Sequence, residues 1–220
     1  MTGPAHFGNF EANARFLEQT GVLRRDAEIL EIGSGTGSLL QRLIADGYRA
    51  RGVEINPELV AESRRWHGEL PLQLVEGVTL PFADRSFDVV LSFDVFEHIP
   101  DSDAHVEEVR RVLKAGGWYL LQTPSKWSNT LFETIRWRSF TRWRADHCSL
   151  HSYGQLDRRF KRHGFETAFA DVPVVTAFYR QKVRRHLGPL GALLLRIANP
   201  DRLPVRWRTN LYLKARKRGV

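Results

Sequence analysis

The amino-acid sequence predicts an α/β domain built on a largely parallel sheet, and three stretches carry that prediction. Ile29 to Ile32 is an apolar run of strand type that meets glycines at 33, 35 and 37, and then Leu39, Leu40, Leu43 and Ile44 fall at helical spacing. It reads as strand, tight turn and helix. Arg49 to Glu54 follows that helix after Gly47 and makes the second strand of a βαβ unit. Val89 to Phe93 has almost no polar residue, the composition of a strand covered on both faces of a parallel sheet.

The chain has 220 residues, enough for one domain with a substantial core and a decoration or two. Hydrophobic content of 42% and a mean hydropathy of -0.36 are those of a soluble globular protein. No basic-then-apolar leader opens the chain and no apolar run approaches the roughly 20 residues that span a bilayer, so a cytoplasmic location is expected. The lone Cys148 excludes an internal disulfide. His147-Cys148 with His151 nearby lacks a second ligand cluster, so no metal is expected. The formal charge of +8 hides a polarity: residues 1–110 carry a balance of -9 and residues 111–220 one of +17. An acidic half suits a cationic ligand. A basic half suits an anionic substrate, a membrane surface or nucleic acid, or is simply solvated.

The glycine turn states its own chemistry. A backbone that passes within contact distance of a ligand carries no Cβ there, and glycine also supplies the positive φ that such a turn needs. The dinucleotide pattern requires a third glycine at position 38, which is Ser38, and no Lys follows the last glycine as a phosphate loop would require. What stands is Gly33-x-Gly35-x-Gly37 with Glu31 two residues ahead. A carboxylate there repels a pyrophosphate but suits a cationic amino-acid tail. On these residues the sequence resembles the class I S-adenosylmethionine-dependent methyltransferases, whose first motif is an acid followed by G-x-G-x-G.

The remaining elements follow in order. Asn9 caps a helix through Phe10, Ala14, Phe16 and Leu17 that Gly21 ends. Residues 1 to 8 are either a disordered start or, through His6 or Phe7, a cover over the cofactor. Glu54, at the tip of the second strand and 17 residues beyond Gly37, is placed to accept both ribose hydroxyls. Pro57 opens a helix that reaches about Trp66. Leu72 to Val75 is a short third strand, and Glu76 to Asp88 resembles the family's acid, then Pro-Phe, an acid and Ser-Phe-Asp. By that resemblance Glu76, with Gly77, takes the adenine amino group. Asp94-Val95-Phe96-Glu97-His98 follows strand four at the carboxyl edge, where ligands bind in open α/β sheets. The resemblance places Ser34, Ile55, Phe93 and Asp94 in the same cofactor site. A helix over Asp103 to Leu113 with its cap, a turn at Lys114 to Gly117 and a fifth strand from Trp118 to Thr123 come next.

The second half holds two insertions. Residues 125–146 interleave Trp127, Phe132, Trp137, Phe140 and Trp143 with arginines and are expected to form a substrate lid, a membrane contact or plain packing. His147 to Phe165 returns to the family pattern, with Ser152 capping a helix that ends at Gly164. Strand six is expected from Glu166 to about Val175. In residues 177–207 a basic stretch precedes Leu190, Leu193, Leu194 and Ile197, an apolar stripe suited to covering a core edge or lying on an anionic bilayer. Thr209 to Ala215 closes the sheet. The resemblance implies a single Rossmann-like domain over residues 1–220, with seven strands, a doubly wound sheet and an antiparallel last strand.

The implied reaction is methyl transfer from S-adenosylmethionine, and around Glu97-His98 the chain resembles methyltransferase type 11 and quinone-biosynthesis O-methyltransferases. The acceptor is expected to be a small-molecule or lipid-linked hydroxyl, with His98 either the base that takes its proton or a histidine that bonds to backbone and shapes the loop. The alternatives are an RNA base methyltransferase and a cofactor-binding protein without transfer activity. No Asn-Pro-Pro-Tyr or Asp-Pro-Pro-Tyr segment follows strand four.

Overall fold

The computed structural model describes residues 9–128, 130 and 148–219. Its strands are β1 (Glu28–Ile32), β2 (Arg49–Glu54), β3 (Leu72–Leu74), β4 (Phe87–Phe93), β5 (Leu113–Pro124), β6 (Phe165–Ala170) and β7 (Asn210–Lys217). Its helices are α1 (Phe10–Thr20), α2 (Ser38–Ala45), α3 (Pro57–His67), α4 (Ser102–Val112), α5 (Tyr153–Arg162) and α6 (Ala177–Ile197). One sheet runs in the order β3-β2-β1-β4-β5-β7-β6. Strands β1 to β5 pair in parallel, and β7 lies antiparallel between β5 and β6. The chain starts in the middle, winds outward to β3 and returns to β4 on the other side of β1. The carboxyl ends of β1 and β4 therefore diverge around a switch point, where an open α/β sheet leaves room for a ligand.

Strand alternation divides the core in two. Leu30, Ile32, Val90, Tyr119, Leu121, Leu211 and Leu213 point to the face covered by α4 and α5, against Val106, Val109, Leu156 and Phe160. Ile29, Val89, Leu91, Leu120 and Tyr212 point to the other face, against Phe16 and Leu17 of α1 and Leu40 and Leu43 of α2. Both faces of β4 are buried, which is why its apolar run shows so little alternation. The caps follow side-chain chemistry. The Asn9 side chain accepts from the Ala12 amide and Gly21 takes the left-handed conformation at φ +60°, while Ser152 and Gln155 form a capping box. Helix α4 begins one residue before the expected Asp103, because Asp101 is the residue whose side chain accepts the Ala104 amide at 2.9 Å.

Three expectations about strands need correction. The turn at Lys114 to Gly117 is instead a bulge within β5: Leu113 pairs with Phe87 and Trp118 with Val89, and Lys114 Nζ anchors the bulge to Asp88 at 2.7 Å. Strand β3 stops at Leu74. Strand β6 stops at Ala170 and not near Val175, because the Asp201 carboxylate takes the Val174 and Val175 amides at 2.8 and 3.1 Å and so replaces a ladder partner.

The expected lid over 125–146 falls almost wholly outside the described residues; Trp127, which is described, is exposed. Residues 1–8 and His147 also lie outside them. Helix α6 breaks at Gly188, whose φ of 58° and ψ of -148° are not helical, and Pro189 opens the second half. Tyr179 and Val183 of the first half pack on the core edge. In the second half Leu190, Leu193 and Ile197 are 60%, 52% and 72% exposed. The side chain of Leu194 lies outside the described residues. No described helix is long and apolar enough to cross a membrane.

The Pro81-Phe82-Ala83-Asp84 loop is held by one side chain. The Arg111 guanidinium donates to Leu80 O, Phe82 O, Asp84 Oδ1 and both oxygens of Glu108, at 2.7 to 3.0 Å. Replacing Arg111 with Ala removes a fork that satisfies two backbone carbonyls and strands the Glu108 carboxylate. We expect a loss of about 2 kcal/mol, read as a lower midpoint in urea with an unchanged slope.

Candidate active site

At the switch point lies a cleft of about 360 Å³. Of the residues assigned to the cofactor from sequence, Glu31, Gly33, Ser34, Gly35, Glu54, Ile55, Phe93 and Asp94 line it, and His98 lines it with them. Gly37, Glu76 and Gly77 do not. Phe10 and Asn13, one turn apart on α1, also line it, together with Thr36, Ser38, Leu39, Leu59 and Val95. Thr36, Ser38, Leu39, Leu59 and Val95 lie within a few residues of assigned positions in sequence, whereas Phe10 and Asn13 have no such signal.

Gly33, Gly35 and Gly37 hold φ values of 71°, 54° and 76°, so the turn after β1 is left-handed at alternate residues. The Gly33 and Ser34 amides bond back to Val53 O at 2.9 and 3.1 Å, which lays the turn over the end of β2. A Cβ on Gly33 would stand 2.2 Å from Cγ2 of Val95, on the loop after β4. Gly37 serves a purpose that its motif does not suggest. A Cβ there would meet Ser63 Oγ at 2.5 Å and Leu70 Cδ1 at 2.9 Å, so the bare position lets the start of α2 pack on α3 and does not face the cleft.

Two carboxylates follow from this geometry. Glu54 accepts the Gly35 amide on Oε2 at 2.7 Å and the Ile55 and Asn56 amides on Oε1 at 2.8 and 3.0 Å. Each oxygen has two lone-pair directions, so Oε2 retains one for a hydroxyl. Glu31 is 5% exposed, and its Oε2 is buried without a hydrogen-bond partner. Burial, with the Glu54 charge adding to it, pushes the Glu31 carboxyl up to about 8. A buried acid beside a ligand cleft with an orphaned oxygen fits a group that brings a positive charge.

The rim opposite is built by β4. Asp94 sits at φ +54° and its amide is anchored by Gln122, to the backbone O at 3.2 Å and to Oε1 at 2.9 Å. Its carboxyl is raised by burial, opposed by Gln122 and by the charges of Lys182 and His98, so α6 reaches the rim electrostatically. Glu97 was given no role of its own in the sequence, yet it is 2% exposed and accepts Thr123 Oγ1 at 3.0 Å. Burial first and the neighbouring Asp94 second push it up to about 8. His98 is half exposed, with Nε2 4.0 Å from Glu97 Oε1.

Glu76 and Gly77 are exposed and lie off the cleft lining. The physical reason is the shortness of β3: the chain leaves the sheet after Leu74, and Gly77 at φ +65° turns with open space around it. The three carboxylates around the cleft are thus Glu31, Glu54 and Asp94 and not the expected trio.

A seven-stranded sheet in this order, with a nucleoside-sized cleft and a ring of carboxyl groups at its switch point, defines a class I methyltransferase. The chain belongs to the methyltransferase domain family, whose model matches residues 6–168, and that class uses S-adenosylmethionine as methyl donor. It is similar to a ubiquinone biosynthesis O-methyltransferase of Paramagnetospirillum magneticum, 31% identical over 53% of this chain and 45% of that one. It is also similar to phosphoethanolamine N-methyltransferase 2 of Caenorhabditis elegans, 28% identical over 52% of this chain and 28% of that one. The chain spans less than half the length of these curated relatives. Their names differ in acceptor atom, so the match carries the domain and not the acceptor. Among solved structures, a chain from the complex between the Haloferax volcanii Trm112 methyltransferase activator and a methyltransferase superposes with a TM-score of 0.70 at 18% identity, over 96% of this chain and 90% of that one. That likeness shows the fold.

Proposed function

We propose that this protein transfers the methyl group of S-adenosylmethionine to a hydroxyl oxygen of a small-molecule or lipid-linked acceptor. The observation that carries the proposal is the meeting of two features at one cleft: the orphaned Glu31 oxygen on one side, and Asp94 and His98 on the other. Glu31 receives the cationic amino-acid tail and the free Oε2 direction of Glu54 one ribose hydroxyl, with the bare backbone of Gly33 and Gly35 beside them. Ile55, 63% exposed at the cleft edge, offers an apolar face to the purine, in place of a direct hold by Glu76. The donor arrives with its methyl group already activated by the sulfonium charge. What this chain adds is alignment, exclusion of water and, for a hydroxyl acceptor, removal of a proton. His98 is the group at the rim able to take that proton, with Glu97 Oε1 4.0 Å behind it.

Residues 1–220 form one such domain in this reading, with 125–146 and 177–207 as insertions on the acceptor side. Supporting that placement, Tyr179, Lys182 and Val183 of α6 line a small cavity with Pro124 and Asn210 at the carboxyl edge of β5. Peripheral contact with an anionic membrane, from the cytoplasmic side, belongs to the same proposal and draws on the exposed second half of α6.

Incubation with radiolabelled S-adenosylmethionine and a cell extract split into lipid, small-molecule and RNA fractions tests the acceptor class. Label is expected in the lipid or small-molecule fraction. Label in RNA favours a base methyltransferase, which the basic half would also serve, and cofactor binding without label in any fraction favours a non-catalytic binder. For a hydroxyl acceptor, His98→Ala should lower kcat by about 10²-fold or more while the cofactor Kd stays within about threefold. An equal loss in both would make His98 a binding residue.

A further inference from the structure

A second cleft, of about 730 Å³, lies apart from the methyl-donor site and shares no lining residue with it. The two halves of α6, broken at Gly188, and the turn after them enclose it, so the break that a straight helix would not have creates the space. Four guanidinium groups line it: Arg180 and Arg184, one turn apart on the first half, Arg196 on the second, and Arg202 in the 3₁₀ turn Pro200–Arg202. Among the described residues none of the four pairs with a carboxylate. The nearest acid in sequence, Asp201, is committed elsewhere, to the Val174 and Val175 amides and to Arg208.

Like charges gathered around one cavity repel one another, and ordinary surfaces disperse them or interleave acids. Arginine presents a planar fork of donors that matches the oxygens of a phosphate or carboxylate two at a time. Four such forks around one space exceed what a single carboxylate uses and match a group with several charged oxygens. We propose that this cleft is a binding site for a phosphate or diphosphate ester, separate from the methyl-transfer site. The ester reaches it either as a soluble phosphorylated molecule or as a phospholipid headgroup. The second source draws on Leu190, Leu193 and Ile197, exposed on the helix half that carries Arg196.

The test uses the full chain with two probes: inorganic pyrophosphate, followed by titration calorimetry, and vesicles of phosphatidylcholine with about 30% phosphatidylglycerol, followed by flotation. The variants are Arg184→Gln with Arg196→Gln in the cleft, Arg64→Gln with Arg65→Gln on α3 as a control of equal charge change, and Leu193→Ser with Ile197→Ser on the apolar stripe. The cleft pair should weaken binding of whichever probe binds by about tenfold or more, while the control pair changes it by less than about twofold. Pyrophosphate binding that ignores the stripe variant assigns a soluble source; vesicle binding lost in both the cleft and stripe variants assigns a headgroup. Binding of neither probe by the unaltered chain overturns the proposal, and so does an equal loss in the control pair, which would show only a diffuse attraction to positive charge. S-adenosylmethionine affinity, measured on the same samples, should be unchanged in the cleft pair, which shows that the variant is folded and keeps this test separate from the methyl-transfer reading.

Discussion

Replacing Glu31 with Gln is expected to weaken S-adenosylmethionine binding by about 10²-fold or more near pH 8, with little change in the fold. The amide keeps the shape of the protonated acid and loses only the charge that the cofactor's ammonium group would meet in a water-poor cleft. Losing one member of a buried charge pair costs about 3–5 kcal/mol. The pH profile sharpens the test. In the cofactor-free protein Glu31 holds its proton up to about pH 8, because the carboxylate form would be buried without a counter-charge. Binding of an ammonium forces that proton off, so affinity in the unaltered protein should rise with pH toward 8 and one proton should be released. Above that, the ligand's own α-amino group, which titrates at about 7.7–8.0, loses its charge and affinity should fall. The Gln variant should show only the falling limb. Calorimetry in buffers of different ionisation enthalpy reads the released proton directly. A variant that binds as tightly as the parent, with the same proton count, would remove Glu31 from the cofactor site.

The same group ties stability to pH. A carboxyl whose pKa is raised in the folded state, from an ordinary 4.5 to about 8, adds stability that is complete below about pH 4.5 and is lost as pH climbs through 8. Glu97 acts in the same direction over the same window. The cofactor-free protein should therefore lose thermal stability between about pH 5 and 8. The Glu31→Gln variant should lose less, overtaking the parent by a few kcal/mol at the upper end.

What could be read in the chain beforehand was whatever depended on neighbours in sequence. Asn9, Gly21, Ser152 and Gly164 marked helix ends because capping is a contact over three or four residues. The bare turn and its two acids, Glu31 and Glu54, were legible because a βαβ unit places them by its own local geometry. The features not legible there were those decided by distant residues. The motif assigns Gly37 to a ligand, and its missing side chain also makes room for Ser63 and Leu70, which no local pattern announces. The apolar run suggests a β6 longer than the one that forms, because Asp201, far along the chain, takes the amides of Val174 and Val175. Glu97 reads in the sequence only as the neighbour of His98, since its burial under Thr123 and Ser149 exists only once β5 and the segment before α5 have assembled. Glu76 matched its family position by count, and a three-residue strand left it outside the cleft.

The turn after β1 and the loop after β4 are fitted to each other at one point, and a double-mutant cycle measures that fit. Gly33→Ala is expected to destabilise the protein by about 3 kcal/mol, from two causes that separate experimentally. A residue with a side chain at φ +71° costs about 1–2 kcal/mol wherever it stands. The rest is overpacking: the new methyl would sit 2.2 Å from Val95 Cγ2, too close for either to remain in place. Val95→Ala removes Cγ2 and leaves Val95 Cβ at 3.4 Å, an ordinary contact. In Gly33→Ala/Val95→Ala the overpacking part should therefore vanish while the backbone part stays, giving a favourable coupling of about 1–2 kcal/mol. For a chain of this length, the single variant corresponds to a fall of about 6–12 °C in Tm. Because Val95 lies between Asp94 and the Glu97-His98 pair, the clash also moves the acceptor side of the site. Methyl transfer should fall further than stability predicts in the single variant and recover in part in the double one. Strict additivity, within about 0.5 kcal/mol, would show that the two loops do not touch and that the cleft is closed by something other than this contact.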